Sequence, residues 1–412
     1  MLFRSRLTAI AGGLLLALLL LLPLADRGGL GLLISACGAL WLIWGLSDPS
    51  SPRPLGGING WILAYLALAV LATGFSPVPA AAAKGLLKLL SYLGVYALMR
   101  RLLERAPAWW DRLVAALLLG ELATAVIGLR QLYGEAEQLA RWADPNSVAD
   151  GTRRIYSTLE NPNLLAGYLV PIIPLALVAL LRWRGLWPRL LALAAAGFGM
   201  AALLLTYSRG GWIGMVLALG GLGLLLLLRQ TRHLPPVLRR WLPPLIIAAT
   251  VLALVLAATQ IEPLRVRLLS VFAGREDSSN NFRINVWMAA LSMVKDRPWL
   301  GIGPGNAAFN LIYPLYQQPR FTALSAYSVP LELAVEAGLP GLIAGLGLFI
   351  ASLRAGLKQL HREQPLSVPA LACLAAVLGL AGHGLVDTIF FRPEVQISGW
   401  LLLATLGAAD DA

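Results

Sequence analysis

Apolar runs of about 20 residues recur along almost the whole of this 412-residue chain, and that is the length an α-helix needs to cross the hydrocarbon of a bilayer. No water is available there to satisfy peptide groups. Unbroken apolar runs therefore dictate helices, and they lack the alternation of membrane-barrel strands. The runs predict spans near 7–25, 28–46, 57–75, 85–99, 110–132, 163–181, 187–206, 211–228, 242–260, 328–353, 366–386 and 393–409, of which 85–99 is the weakest. With 58% apolar and 13% charged residues and a mean hydropathy of +0.73, the chain is far from the roughly 25% charge of a soluble domain. The expected fold class is all-α, a polytopic membrane bundle of about a dozen helices.

Short basic loops set the expected orientation, because Lys and Arg collect on the cytoplasmic side. Arg4 and Arg6 open the chain. Arg100, Arg101, Arg105 and Arg112, then Arg182, Arg184 and Arg189, then Arg229, Arg232, Arg239 and Arg240, and last Arg354, Lys358 and Arg362 flank later connections. All fall on one face if there are about twelve spans. The plasma (inner) membrane is then the expected location, with both termini cytoplasmic and the long polar stretches on the external, periplasmic side. The chain divides into amino-terminal transmembrane helices (1–132), an external loop (133–162), central transmembrane helices (163–260), a large external helical subdomain (261–327) and carboxy-terminal transmembrane helices (328–412). Arg4 and Arg6 before an apolar run resemble a signal peptide. No small-residue cleavage site follows, so the run reads as the first membrane helix. The net charge of +12 is explained by these flanking residues without a nucleic-acid partner. Cys37 and Cys373 lie in predicted spans and form neither a disulfide framework nor a metal spacing, so no metal or cofactor is expected.

Several polar residues stand out against this background. The stretch 261–325 carries seven basic and four acidic residues, a net +3. Within it, Arg283 through Ala290 reads as a short amphipathic helix with Arg283 and Trp287 on one face. A guanidinium fork suits phosphate oxygens, though Arg283 could equally pair with a carboxylate or reach to headgroups. Gly301-Ile302-Gly303-Pro304-Gly305-Asn306 is neither a Walker loop nor a dinucleotide fingerprint. It is either a tight turn or a set of amides open to an anion. Arg209, in Ser208-Arg209-Gly210-Gly211, is the only charge between about 190 and 228 and is a candidate either for anion binding or for snorkelling. Arg153, Arg154 and Glu160 lead into a span beside the turn signal Asn161-Pro162; they line an external cavity or a solvated loop. Glu121 lies mid-way along an apolar stretch, where a carboxylate costs about 2.5–3.5 kcal/mol unless paired or protonated. It reads as a buried structural hydrogen bond or as a proton or coupling-ion site. His383 with Asp387, and Glu332 with Glu336, are spaced four apart near span ends. Each could set a base near an arginine-bound anion or simply bond within its helix.

Taken in order, Ser208-Arg209-Gly210-Gly211, Arg283 with Trp287, Gly301 through Asn306, and Leu331-Glu332 through Glu336-Ala337-Gly338-Leu339-Pro340-Gly341 resemble the O-antigen ligase and polymerase superfamily of membrane glycosyltransferases. The resemblance covers about 150–412; the amino-terminal third matches only as a string of spans. Ile155 through Asn163 and Ala323 through Ser328 resemble most the cyanobacterial branch named for inorganic-carbon accumulation and labelled as bicarbonate transporters. The resemblance implies transfer of a glycan from a polyprenyl (undecaprenyl) diphosphate carrier to a glycolipid or other hydroxyl acceptor at the external face. The implied mechanism is inverting and needs no metal or nucleotide. It implies that Arg209 and Arg283 hold the diphosphate leaving group, with Arg154 nearby, and neutralise its growing charge. Family ligases carry His-Asn two residues before the Leu-Glu pair, where this chain has Tyr327-Ser328. A phenol with an ordinary pKa near 10 is a poor base at neutral pH, so Tyr327, Glu332 and His383 are the candidates for the acceptor side. Three readings follow. The first is a glycosyltransferase. The second is a bicarbonate transporter, which needs charged groups at mid-depth that the spans lack apart from Glu121. The third is a non-catalytic protein that binds the lipid carrier.

Overall fold

The computed structural model describes residues 2–47, 56–134, 154–238, 240–248 and 274–411, and every regular element among them is helical. The long helices are α1 (Leu2–Leu21), α2 (Arg27–Ser47), α3 (Gly57–Gly74), α4 (Pro79–Arg105), α5 (Trp109–Arg130), α6 (Pro162–Arg182), α7 (Leu186–Leu205) and α8 (Arg209–Thr231). They continue as α9 (Ser278–Asp296), the short α10 (Asn306–Ile312), α11 (Val329–Lys358), α12 (Ser367–Gly384) and α13 (Pro393–Asp410). Nine helices among the described residues are long and apolar enough to cross a membrane: α2 to α8, α11 and α12. The apolar part of α1, Arg6–Leu21, is shorter. The weak candidate 85–99 proves to be the middle of the 27-residue α4. The candidate 242–260 begins in helical residues 240–248 and continues outside the described residues.

Small residues bring the helices together, as expected where lipid offers no hydrophobic drive between them. The broadest contact is α8 against α12. There a Cβ added at Gly214 would stand 2.6 Å from the Gly379 carbonyl oxygen, and one at Gly379 would stand 2.8 Å from that of Gly214. α2 and α4 meet where Gly94 lies against Gly38, and α5 meets α1 where Gly120 lies against the Leu20 carbonyl. α6 is the most enclosed span, with 83% of its apolar window buried, and it packs on α7, α12, α8 and α5.

Members of four of the basic clusters meet at one end of the bundle. There Arg182 pairs with Asp111 at 2.9 Å, Lys358 with Asp410 at 2.7 Å, Arg100 with Asp411, and Arg229 donates to the Gln359 and Arg362 carbonyls. The opposite end gathers the starts of α4, α6, α8 and α9 with the finish of α12. A second, smaller core forms at this end from Val286, Ala290, Met293, Phe309 and Tyr313, packed against Ala82 of α4 and Val335 of α11.

The glycine-rich loop is explained by α11. This helix breaks at Ala337 and Gly338, the latter at φ +71°, and carries Pro340 inside it. Proline has no N–H, which orphans the carbonyl four residues back, at Glu336. Gly303 N–H fills that place at 3.0 Å, while Ile302 N–H bonds the Val335 carbonyl at 2.9 Å and Leu339 N–H turns outward to Pro298 at 2.7 Å. Gly305 N–H adds a 2.6 Å bond to Glu336 Oε1. The amides of Ile302, Gly303 and Gly305 are therefore committed to the kink. The loop is a structural turn, and the anion-cradle reading is set aside.

Gly338 needs both its left-handed backbone and its missing side chain, since a Cβ there would run into the Trp299 carbonyl carbon. Gly338→Ala is expected to cost about 2–3 kcal/mol. Gly13→Ala in α1, where an added Cβ meets open space, is expected to be neutral or slightly stabilising. Unfolding midpoints in detergent check the contrast.

Candidate functional site

Four helix ends and a loop converge opposite the basic end. The N-caps are local sequence effects. Asn161 Oδ1 accepts from Asn163 N–H at 2.8 Å to start α6, Ser208 Oγ accepts from Gly211 N–H at 3.2 Å to start α8, and Asp277 Oδ1 accepts from Asn280 N–H at 3.0 Å to start α9. These caps place the charged side chains. Arg209, in the first turn of α8, reaches Asp277 Oδ1 at 2.8 Å, and Asp277 is wholly buried. Arg283, in α9, donates from Nε to the Val386 carbonyl at 2.8 Å, with Nη2 3.9 Å from Asp387 Oδ2. Arg154 donates from Nε to the Thr206 carbonyl at 2.9 Å and from Nη2 to Asn163 Oδ1 at 2.8 Å. Asn163 also bonds the Asp387 carboxylate.

Arg154, Arg209 and Arg283 are thus drawn into one network with Asp277 and Asp387, three positive charges against two negative. Burial pulls the Arg283 guanidinium below its ordinary value; Asp387 opposes this and the nearby Arg209 charge adds to it. Burial pushes the Asp387 carboxyl above the usual carboxylate range, against the pull of Arg283, Asn163 and Arg154. The site is a crowded, largely buried set of charges with a small positive excess, where electrostatic interactions are stronger than in water.

The acceptor-side candidates fare differently. Tyr327 sits at φ +50°, its ring edge-on to Phe282 at 5.2 Å, and its carbonyl accepts from Trp287 Nε1 at 3.1 Å. Burial, reinforced by Asp387, pushes its phenol up to about 12. It therefore stays protonated at neutral pH and can donate but not act as a base. Glu332 Oε2 accepts from Ala326 N–H at 2.6 Å and from Thr388 Oγ1 at 3.4 Å, and Thr388 in turn accepts from Ser328 N–H at 3.1 Å. Glu332 and Trp287 pin the 326–328 loop. The Arg283 helix is also longer than the expected eight residues, running 19 from Ser278 to Asp296. His383 is fully buried between α12 and α8, where a Cβ at Gly210 would meet its Cδ2 at 2.6 Å. Its ring nitrogens have no hydrogen-bond partner among the described residues.

Glu121 stands apart, buried in α5 against Gly199 of α7 and near Tyr168 of α6. Neither its oxygens nor the Tyr168 hydroxyl finds a hydrogen-bond partner among the described residues. Glu160 pairs with Arg392 at 3.2 Å on the surface rather than joining the arginine network. Arg153 lies outside the described residues.

Beside the network lies an apolar cavity of about 1800 Å³ between α3, α4, α8, α11, α12 and α13. Its wall includes Gly384, Leu385 and Thr388, which bracket Val386 and Asp387. No local pattern in the sequence points to Lys84 and Lys88 on this wall or to Asp277 as the Arg209 partner. The one signal for Asp277 was its position before Ser-Ser-Asn, a helix start that faces α8 only once the chain has folded.

Residues 193–346 match the family model of the O-antigen ligase. No curated protein matches the chain. The matched stretch holds Arg209, Asp277, Arg283, Tyr327 and Glu332, while Arg154, His383 and Asp387 fall outside it. The stretch 193–346 is thus similar to the O-antigen ligase domain, within a chain that has nine helices among the described residues long and apolar enough to cross a membrane.

A double-mutant cycle tests the network. Arg209→Gln and Asp277→Asn each strand a buried charge and are expected to cost about 3 kcal/mol. The double variant is expected to cost about 1–3 kcal/mol less than their sum. Denaturant unfolding of the purified chain measures all three.

Proposed function

We propose that the chain binds a polyprenyl-diphosphate-linked saccharide at the end of the bundle opposite the basic clusters. Arg209 and Arg283, supported by Arg154, hold the diphosphate there. The observation that carries this reading is the convergence of three arginines from separate parts of the chain on one buried network beside a lipid-sized apolar cavity. Carbon-rich carrier lipid suits the α8–α12 flank of that cavity, and the diphosphate suits the guanidinium forks. The end that holds the network is the external face in this reading, because the basic clusters mark the other end as cytoplasmic.

In the transfer reaction the acceptor hydroxyl oxygen attacks the anomeric carbon from the face opposite the diphosphate. The carbon–oxygen bond to the diphosphate breaks, and the departing diphosphate gains charge that the arginines stabilise. The hydroxyl proton must pass to a base. At this point a second reading gains support from specific observations. Tyr327 is a neutral phenol, Glu332 Oε2 is taken by Ala326 N–H and by the Thr388 hydroxyl that holds Ser328, and His383 lies between helices away from the cavity wall. The leaving-group half of a transferase site is present without an evident acceptor-activating base, as expected of a protein that binds the carrier without turning it over.

Binding of undecaprenyl diphosphate in detergent is expected to weaken about 10- to 100-fold in Arg209→Gln and in Arg283→Gln, the worth of a charge-assisted hydrogen bond to each. Parent-like affinity in both variants would contradict the reading. Transfer to a lipid acceptor separates the two forms of it: turnover by the parent chain favours the transferase, and turnover gained only in Tyr327→His favours the binding protein.

A further inference from the structure

Tyr327 holds its backbone at φ +50°. A positive φ is uncommon for any residue with a Cβ and costly for a bulky one, and it persists only where the surroundings over-determine it. Here they do. Ala326 N–H donates to Glu332 Oε2 at 2.6 Å, the Tyr327 carbonyl accepts from Trp287 Nε1 at 3.1 Å, and Ser328 N–H donates to Thr388 Oγ1 at 3.1 Å. Three successive residues are each pinned through the backbone. The ring packs edge-on against Phe282 at 5.2 Å, a contact that phenylalanine would make equally well. None of this uses the Tyr327 hydroxyl, which has no hydrogen-bond partner among the described residues.

The pins set this half-buried side chain beside Arg283. Phe282 precedes Arg283 in α9, and Trp287 lies one turn on from it along the same face. Thr388 follows Asp387, which stands 3.9 Å from Arg283 Nη2, and the Val386 carbonyl takes Arg283 Nε at 2.8 Å. The 326–328 loop is thus tied to both elements that hold Arg283. The phenol and Arg283 act electrostatically on one another, and Asp387 acts on both. On the other side of Tyr327, Val329, Pro330 and Thr388 line the apolar cavity. The residue therefore stands where the arginine network gives way to the cavity wall, the boundary at which a lipid tail would join its phosphate.

A diphosphate entering this network meets Asp277 and Asp387 as well as the arginines. A neutral phenol supplies a donor to a phosphate oxygen without a charge that the aspartates would claim. Burial and Asp387 keep its proton on, and an arriving anion holds that proton more firmly still. We infer that Tyr327 is a ligand of the bound diphosphate, donating its hydroxyl to a phosphate oxygen on the cavity side, and that it serves the leaving group and not the acceptor. The inference rests on the diphosphate reading above.

The test uses the purified full chain in detergent, with undecaprenyl diphosphate and undecaprenol as paired probes. Tyr327→Phe keeps the ring and removes only the hydroxyl. It is expected to weaken diphosphate binding about tenfold, the worth of one hydrogen bond to a charged group, and to leave undecaprenol binding and the unfolding midpoint at the parent values. A fluorotyrosine placed at 327 keeps the hydroxyl, and its fluorine resonance is expected to shift with the diphosphate and not with undecaprenol. Parent-like diphosphate affinity in Tyr327→Phe, beside weakened Arg209→Gln and Arg283→Gln, would overturn the inference and leave the diphosphate reading standing. A loss shared by both probes, or a resonance that responds to both alike or to neither, would mark a structural role and overturn it too. Parent-like affinity in both arginine variants would instead overturn the diphosphate reading, and this inference with it.

Discussion

A guanidinium that loses its water must be paired, and three arginines at one end of this bundle obey that constraint together. Arg209 ties α8 to the start of α9 through Asp277; Arg283 ties α9 to the last turn of α12 through Val386 and Asp387; and Arg154 ties the loop before α6 to the turn before α8. Pairs of this kind contribute little net stability compared with apolar packing, but breaking one is costly because the surviving charge is stranded. The network therefore acts more as a register than as glue. It fixes where α9 sits, and α9 in turn carries the tryptophan that holds the Tyr327 loop.

A second constraint works through the backbone alone. Pro340 and the break at Gly338 leave peptide groups in α11 without their helical partners, and the 298–305 loop supplies them one for one. Unsatisfied peptide groups are tolerated at such depth only where protein covers them. The glycines at 301, 303 and 305 are there to let that loop lie flat against α11 and α4. The consequence for function is indirect: the kink aims the first turns of α11, with Glu332, at the 326–328 loop beside the arginines.

The helices themselves were legible in the sequence, because runs such as 163–181 and 366–386 have only one way to sit in a bilayer. The arginines were legible too, since Arg209 is an isolated charge in a long apolar stretch and Arg283 recurs in a family pattern. What could not be read was pairing. Asp277 is 68 residues from Arg209 and Asp387 is 104 from Arg283, and no local periodicity reports contacts across such distances. The glycine loop was ambiguous for the same reason, as its amides look free until Pro340 is seen to need them. Lys84 and Lys88 lower the hydropathy of α4, so its apolar run reads as 85–99, shorter than the 27-residue helix.

The account rests on Arg209 and Arg283 gripping the same anion. The most direct test is a structure determined with undecaprenyl diphosphate bound. The account predicts the two phosphorus atoms within about 4 Å of both guanidinium groups, the hydrogen-bonded range for a bidentate phosphate contact, with the polyprenyl chain leaving through the apolar cavity. A diphosphate bound at any other surface, or touching one of these arginines while the other stays locked on its carboxylate, would contradict it.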